Sequence, residues 1–183
     1  MIKVIAFDLV GVLVKEKNMS MTFEEQELER LFGSNISDNE YLDEAKKVIS
    51  NNNIIKEKTM NILNNLYEIK DKDLLNNLKN KYPYIKLAVA TNHLSKIRNF
   101  ISKEFKNIDE IFISAEMNKV KPNKDFYEEI MKRFNCNSDE ILFLDDNIEN
   151  IKGADKCGFK TIYVDKNMNL FKEIIKIIDK ETY

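Results

Sequence analysis

The chain has 183 residues and a nearly balanced charge, with 29 lysines and arginines against 31 aspartates and glutamates. A chain of this length can bury a sizeable core, so we expect a single domain with room for an insertion. The net charge of −2 provides neither the basic footprint of a nucleic-acid-binding protein nor a polybasic patch for anionic lipid, so neither partner is expected.

We expect neither a membrane-spanning segment nor a secretion signal. The apolar runs of the sequence are all shorter than a membrane span, and the amino-terminal residues show no signal-peptide pattern. Cys136 and Cys157 are not in a metal-binding spacing, and two thiols in a chain of this size are typical of a reducing compartment. We therefore expect a cytoplasmic protein. The residues do not indicate an oligomeric state.

The first apolar run, residues 4–7, shows no polar alternation, which is typical of a strand buried on both faces of a parallel sheet. Asp8 follows it directly, at the strand end where open α/β sheets bind ligands. A carboxylate there needs water, a cation or a substrate, and a capping or solvated aspartate is an open alternative. The chain has only four glycines, and we expect Gly11, Gly153 and Gly158 to lie in loops that need their backbone freedom.

Helix signals follow the first strand. Thr22 with Glu25 forms a capping-box pattern that predicts a helix ending at Gly33, and Ser37 with Glu40 repeats the signal for a second helix. Apolar residues at helical spacing predict a third and a fourth helix before the next buried strand.

About 70 residues separate the first two predicted strands, whereas a parallel crossover needs only about a dozen. The excess predicts an inserted helical cap at residues 15–70, between two parts of a core at residues 1–14 and 71–183. Such an insertion would lie over the carboxyl ends of the strands, where it could act as a lid over a site at that edge. Tyr41 and Tyr67 of the cap are candidates to face a substrate, although no pattern in the sequence shows it.

Strands and helices alternate from residue 85 onward. Apolar runs predict strands at residues 85–90, 111–114, 141–144 and 161–164, and amphipathic segments predict helices between and after them. This alternation predicts an α/β fold: a Rossmann-like, doubly wound parallel sheet that carries the small helical cap.

Polar side chains occur at the predicted strand ends and in one loop between them: Asp8, Thr91, Asn92, Asp145, Asp146 and, beside Pro122, Lys121. In a parallel sheet with right-handed crossovers these ends meet at one edge. Three carboxylates there would repel one another, and a hard cation such as Mg²⁺, which binds oxygen ligands and shares a substrate phosphate, would relieve that repulsion. With the Lys121 ammonium and the Thr91 hydroxyl, the set predicts phosphoryl transfer to a nucleophilic carboxylate.

The same residues resemble the four loop motifs of the haloacid dehalogenase-like hydrolase superfamily, in the right order. Residues 7–12 resemble the first motif, Thr91-Asn92 the second, Lys121-Pro122 the third and residues 144–147 the fourth. The inserted helices resemble the cap of the superfamily branch that includes sugar-phosphate phosphatases.

The resemblance implies Mg²⁺-dependent hydrolysis of a small phosphate ester, in which Asp8 attacks phosphorus and water hydrolyses the resulting aspartyl-phosphate. It also implies ligand roles for the matching residues. The transferring phosphoryl group would be bound by Thr91, Asn92 and Lys121, and the metal by Asp8, Asp145, Asp146 and the main-chain carbonyl of Val10.

Val10 departs from the pattern of the superfamily. Its phosphatases commonly carry a second aspartate two residues after the nucleophile, as general acid and base, and valine cannot transfer a proton. General acid–base help is typically worth about 10²–10⁴-fold in rate. We therefore expect weakened or altered turnover, with faster reaction of esters that have good leaving groups.

Two other functions stay open. The chain could bind a phosphorylated ligand or serve as a regulatory protein with little turnover. It could also catalyse another reaction of the superfamily, although dehalogenases need no metal, so the pair Asp145-Asp146 counts against dehalogenation. Phosphonate cleavage would need a cap lysine that forms a Schiff base. The candidates, each more simply explained as a surface residue, are Lys46, Lys47, Lys56 and Lys58.

Three further polar residues have two interpretations each. His93, the only histidine, could replace the missing acid or base, but we favour a solvent-exposed residue at a helix start. Asn147 could brace the metal carboxylates or cap a helix. Asn150 could brace the same carboxylates or lie on the surface.

Overall fold

A five-stranded parallel sheet lies at the centre of the computed structural model, which describes residues 1–33 and 36–180. The strands and helices of these residues, in chain order, are β1 (Val4–Phe7), β2 (Val14–Glu16), α1 (Phe23–Glu29), α2 (Asp38–Ala45), α3 (Asn52–Asn65), β3 (Tyr67–Ile69), α4 (Leu74–Lys81), β4 (Lys86–Thr91), α5 (Ile97–Glu104), β5 (Glu110–Ile113), α6 (Ser114–Met117), α7 (Lys124–Phe134), β6 (Ile141–Asp145), α8 (Ile148–Lys156), β7 (Lys160–Tyr163) and α9 (Leu170–Lys180). The sheet order is β5-β4-β1-β6-β7, and every neighbouring pair is parallel. Among the described helices, none combines the length and the apolar character that a membrane crossing requires.

Side chains of the central strands alternate between two apolar layers, which is why their sequence shows no polar alternation. In β1, Ile5 and Phe7 face the layer that contains residues of α4, α5 and α9, whereas Val4 and Ala6 face the layer of α7 and α8. None of these four β1 residues is more than 1 % exposed. Helices on both faces make the sheet doubly wound, which confirms the predicted fold class.

Residues 15–70 contain more than the predicted helices. The helices α1 and α2 both begin with the capping boxes that the sequence predicts, at Thr22 with Glu25 and at Ser37 with Glu40. The strands β2 and β3 form a separate antiparallel pair at the two ends of this segment. The sequence does not predict these strands because three residues are too few to show a periodic pattern.

The inserted segment shares one apolar layer with the sheet. Leu28 of α1, Ile55 of α3 and Leu66 belong to the same hydrophobic cluster as Ile5 and Phe7 of β1. Burial of a common apolar surface is therefore what attaches the segment to the rest of the chain. The division into a core at residues 1–14 and 71–183 and a cap at 15–70 stays a prediction.

The register of β1 and β6 sets the position of the first candidate site residue. Phe7 pairs with Leu144, so the next residue, Asp8, lies level with Asp145 at the carboxyl edge of the sheet. The Asp8 amide extends this ladder by donating to the Leu144 carbonyl at 2.8 Å. Strand pairing alone therefore brings two aspartates together.

Gly153 lies inside α8 and not in a loop, contrary to the sequence-based expectation. A Cβ atom at this position would lie 2.6 Å from the carbonyl oxygen of Pro122 and 2.8 Å from its Cβ. The helix backbone and the loop that carries Lys121 are thus in direct contact, and glycine is needed because there is no space for a side chain.

We predict that Gly153→Ala destabilises the protein by about 1–2 kcal/mol, because overpacking against Pro122 outweighs the roughly 1 kcal/mol that alanine gains over glycine in a helix. Urea unfolding of the variant measures this difference. Lys152→Ala, at the neighbouring exposed position, is the control and should change stability by no more than about 0.5 kcal/mol. An increase in stability for Gly153→Ala would show that the contact with Pro122 imposes no constraint.

Candidate active site

The carboxyl ends of β1 and β6 carry two aspartates that share one lysine. The Lys121 ammonium donates hydrogen bonds to Oδ1 of Asp8 at 2.8 Å and to Oδ2 of Asp145 at 2.7 Å. The exposed fraction of the side chain is 1 % for Lys121, 12 % for Asp8 and 0 % for Asp145. Buried charges are tolerated when they are paired and hydrogen-bonded, so the three side chains form one interdependent unit.

Mutual charge compensation sets the protonation of this unit. Burial favours the neutral amine of Lys121, but the carboxylates of Asp8 and Asp145 outweigh this effect and raise the pKa of Lys121. Burial raises the pKa of Asp8 to about 6, against the opposing effect of the Lys121 ammonium. At neutral pH the lysine is therefore charged and Asp8 is mostly a carboxylate.

Asn92 fixes the loop that carries the lysine. Its Nδ2 donates to the Lys121 carbonyl at 2.9 Å, and its Oδ1 accepts from the Lys121 amide at 2.9 Å. The following peptide bond, to Pro122, is cis, and Pro122 packs against α8 at Gly153. The Asn92 side chain thus positions Lys121, and a contact between Asn92 and a substrate stays a prediction.

A third aspartate completes a carboxylate cluster. One oxygen atom from each of Asp8, Asp145 and Asp146 lies within 4.8 Å of the other two. This oxygen-only donor set has the chemistry that Mg²⁺ prefers. Asp146 approaches the chain so closely that a Cβ atom on Gly11, whose φ is +87°, would lie 1.9 Å from its Oδ2. The backbone conformation therefore favours glycine at position 11, and any other residue there would also have to displace the Asp146 carboxylate.

Hydrogen bonds from α8 and its cap orient Asp145. Asn150 donates from Nδ2 to Oδ2 of Asp145 at 3.0 Å, and the Asn147 amide donates to Oδ1 at 2.8 Å. The Asn147 side chain accepts from the Glu149 amide, so it caps α8. The structure therefore supports the bracing role for Asn150 and the capping role for the Asn147 side chain.

The carboxylate cluster faces a cavity of about 300 Å³ between the sheet edge and the inserted segment. All the residues that the sequence predicts for the site line this cavity: Asp8, Val10, Thr91, Asn92, Lys121, Asp145 and Asp146. The inserted segment also lines the cavity, with Glu16, Glu29, Arg30, Phe32, Gly33 and Tyr67. The sequence does not identify Glu16, Glu29 and Arg30 as cavity residues, because charged residues that face solvent and charged residues that face a cavity give the same sequence pattern.

Two of the predicted site residues have locations that leave their roles untested. Thr91 is buried at the end of β4, 2 % exposed, beside the other strand-end residues. Val10 is half-buried and lines the cavity near Asp8, in the turn that leads to β2. The metal contact of the Val10 carbonyl and the phosphoryl contact of Thr91 stay predictions.

His93 is buried, so the expectation of a solvent-exposed histidine is wrong. It is 2 % exposed and lies between the rings of Phe32 and Tyr67, at centroid distances of 5.5 and 6.0 Å. The sequence could not show this burial, because both aromatic partners come from the inserted segment. As a consequence, burial lowers the pKa of His93 to about 4, and the imidazole is neutral at physiological pH.

The two cap tyrosines have different surroundings. Tyr67 lines the cavity, and its hydroxyl lies 2.9 Å from Nε2 of His93. Tyr41 instead contacts Oγ1 of Thr59 at 2.6 Å and lines a different cavity, formed by α2, α3 and residues 94–96. Of the two candidates, only Tyr67 lines the cavity that contains the carboxylate cluster.

Comparison with known proteins gives a family match over most of the chain. The family model described as haloacid dehalogenase-like hydrolase matches residues 4–164. The sesquiterpene phosphatase astK of Aspergillus oryzae is 28 % identical over 75 residues, which are 41 % of this chain and 38 % of that protein. Mouse acyl-CoA dehydrogenase family member 10 is 32 % identical over 92 residues, 49 % of this chain and 9 % of the mouse protein. The chain thus matches less than half the length of each of these curated relatives.

Solved structures share the fold over nearly the whole chain. A HAD-like family hydrolase from Porphyromonas gingivalis superposes with a TM-score of 0.73 at 21 % identity, covering 97 % of this chain and 98 % of that one. A HAD family enzyme from Bacteroides thetaiotaomicron, in complex with magnesium and inorganic phosphate, has a TM-score of 0.69 at 16 % identity, covering 92 % and 97 % of the two chains. At these identities the likeness concerns the fold.

The buried imidazole predicts a pH-dependent stability. Because the pKa of His93 is lowered from 6.5 to about 4 in the folded protein, the unfolded chain binds more protons between these values. The contribution of His93 to stability is complete above pH 6.5 and decreases as the pH falls toward 4. By linkage, the loss between about pH 7 and about pH 5 is about 2 kcal/mol.

Urea unfolding at both pH values, for wild type and for His93→Gln, measures this contribution. The wild type should lose about 2 kcal/mol more than the variant between them. All other titrating groups, including Asp8, are common to both proteins and cancel in the comparison. Equal losses for the two proteins would show that the folded state does not hold His93 neutral.

Proposed function

Because the chain belongs to the haloacid dehalogenase-like hydrolase family, we propose that it is a Mg²⁺-dependent phosphatase that hydrolyses a small phosphate ester through an aspartyl-phosphate on Asp8. One observation carries this proposal: a buried lysine and three carboxylates converge on one sheet edge and face a cavity. The cavity, at about 300 Å³, has room for a small molecule.

Electrostatics favours a phosphoryl group as the part of the substrate held at this edge. The Asn92 side chain fixes the Lys121 backbone, and Lys121 lines the cavity together with Thr91 and Asn92. A fixed positive charge in a largely dry site stabilises the negative oxygens of a transferring phosphoryl group more strongly than water does. The relative from Aspergillus oryzae, a sesquiterpene phosphatase, is consistent with this substrate class.

The carboxylates fit a magnesium ion. Asp8, Asp145 and Asp146 would hold it, with the Val10 carbonyl as the further ligand that the family resemblance implies. The bound ion would offset the negative charge that the three carboxylates and the phosphate bring together. The complex of the Bacteroides thetaiotaomicron enzyme with magnesium and phosphate, in the same fold, supports this assignment.

The reaction proceeds in two displacements at phosphorus. An Asp8 carboxylate oxygen attacks phosphorus, the bond from phosphorus to the ester oxygen breaks, and the leaving group departs with the electron pair. Water then attacks the phosphorus of the aspartyl-phosphate, which releases inorganic phosphate and restores the Asp8 carboxylate. Lys121 holds Asp8 by a hydrogen bond that keeps it ionised and oriented before attack.

The competing functions receive less support. A dehalogenase would not need the Asp145-Asp146 pair. A phosphonate hydrolase would need a cap lysine in the cavity, but in the described residues the lysine that lines it is Lys121. The other candidates lie elsewhere. Lys46 pairs with Asp43, Lys47 with Glu44, and Lys58 with Glu24 and Glu25, while Lys56 lines the cavity that contains Tyr41. Binding of a phosphorylated ligand without turnover is the alternative that the experiment must separate.

A panel of phosphorylated metabolites and aryl phosphates, assayed for phosphate release with and without Mg²⁺, tests the proposal. We expect Mg²⁺-dependent release by wild type, faster for aryl than for sugar phosphates because Val10 cannot protonate a leaving group. Asp8→Asn should reduce the rate at least about 10³-fold, since it removes the nucleophile.

Asp43→Asn, at an exposed cap position, is the matched control and should keep wild-type activity. If ligands raise the melting temperature and no phosphate is released, the protein is a binding module and the proposal is wrong. Equal rates across leaving groups would show that another group supplies the proton that Val10 cannot.

A further inference from the structure

Tyr67 and His93 form a buried pair on the wall of the cavity. The Tyr67 oxygen lies 2.9 Å from Nε2 of His93, and the two residues are 6 % and 2 % exposed. Neither residue belongs to the carboxylate cluster or to the loop that carries Lys121. Either side chain could donate the hydrogen bond between them.

The hydrogen bond at Nδ1 of His93 determines which side chain is the donor. The backbone amide of Leu94 donates to Nδ1 of His93 at 2.8 Å, so Nδ1 is an acceptor and carries no proton. A neutral imidazole then has its proton on Nε2, and burial keeps the imidazole neutral by lowering its pKa to about 4. The His93 Nε2–H group therefore donates to the Tyr67 oxygen.

This arrangement leaves the phenolic proton of Tyr67 available. The Tyr67 oxygen accepts from His93, and in the described part of the chain its hydroxyl has no second hydrogen-bond partner. The residue lines the same cavity as Asp8 and Val10. Because an unsatisfied buried donor is costly, this hydroxyl can gain a hydrogen bond from a ligand that offers an acceptor in the cavity.

The surroundings of Tyr67 keep it protonated. Burial raises its pKa, and the nearby carboxylates of Glu16, Glu29 and Asp8 raise it further. Tyr67 thus acts as a neutral hydrogen-bond donor and not as a source of a transferred proton.

Tyr67 lines the cavity from the inserted segment, whereas Asp8 lines it from the sheet edge. In phosphoryl transfer the attacking and leaving oxygens are roughly in line with phosphorus. An ester attacked by Asp8 would therefore direct its leaving oxygen away from the sheet edge, and we place Tyr67 on that side. Tyr67 is held there by β3, in which it pairs with Glu16 of β2.

We propose that the Tyr67 hydroxyl, oriented by His93, donates a hydrogen bond to the leaving-group oxygen of the bound phosphate ester. This inference rests on the proposed phosphatase function. Negative charge develops on that oxygen as its bond to phosphorus breaks, and Val10 leaves it without the usual acid. A preorganised donor at this point stabilises the developing charge and partly offsets the missing carboxyl group.

Tyr67→Phe tests the proposal, because it removes the donor and keeps the ring. The kinetic comparison uses two aryl esters: phenyl phosphate, whose phenol is the poorer leaving group, and p-nitrophenyl phosphate, whose nitrophenol is the better one. We expect kcat/KM to fall about 10²-fold for phenyl phosphate and less than about 5-fold for p-nitrophenyl phosphate, since only the poorer leaving group needs the donor.

Tyr41→Phe is the matched control, a second buried cap tyrosine that is hydrogen-bonded to Thr59 outside this cavity. It should leave both rates within about 2-fold of wild type, because it does not touch the substrate. Equal losses with both esters in Tyr67→Phe, or no loss with either, would overturn the role at the leaving group.

The histidine tautomer provides a test that does not depend on turnover. Because the chain has a single histidine, a ¹⁵N–¹H NMR spectrum of the side-chain nitrogens reports on His93 alone. We expect a proton on Nε2 and an unprotonated Nδ1 at neutral pH. A proton on Nδ1 would mean that Tyr67 uses its own proton to bond to His93, and this would overturn the inference even in an active enzyme. A wild-type protein that releases no phosphate from either ester would instead overturn the proposed function.

Discussion

The rest of the site depends on the buried ion pairs that Lys121 makes with both Asp8 and Asp145. Removing one partner from a buried charged pair typically costs about 3–5 kcal/mol, because the remaining charge is left without compensation. Three features of the surrounding structure keep Lys121, Asp8 and Asp145 together. The register of β1 with β6 aligns the two aspartates, Asn92 fixes the lysine backbone, and Gly153 leaves room for the loop at Pro122.

The site is built from two parts that differ in their physical origin. The sheet edge supplies the charged groups, which are held by strand pairing and by hydrogen bonds to backbone. The inserted segment supplies further residues that line the cavity, and it is attached through apolar residues that join one layer of the core. Under the proposed function, the chemistry at phosphorus would depend on the sheet edge, and the insertion would offer the leaving group side chains such as Tyr67 and Glu29.

The five strands of the parallel sheet, the fold class and the spatial convergence of the strand-end residues could be predicted from the sequence. These features follow from local apolar patterns and from the rule that parallel strands end at one edge. The burial of His93 and the position of Tyr67 could not be predicted, because they depend on how the insertion packs over the sheet. The requirement for glycine at position 153 could not be predicted either, since it arises from contact with Pro122, which is about 30 residues away in the chain. The absence of the usual acid at Val10 can be read from the sequence. The Tyr67 hydroxyl in the same cavity can be recognised only from the structure.

Trapping the covalent intermediate tests the central claim, that Asp8 is the nucleophile of this pocket. A reactive aryl phosphate is mixed with the protein and Mg²⁺, the reaction is quenched with acid, and the acyl-phosphate is reduced with borohydride before peptide mass spectrometry. We predict that Asp8 is converted to homoserine, and that omitting the ester abolishes the conversion. Steady phosphate release with unmodified Asp8, or with the modification on Asp145 or Asp146, would contradict it.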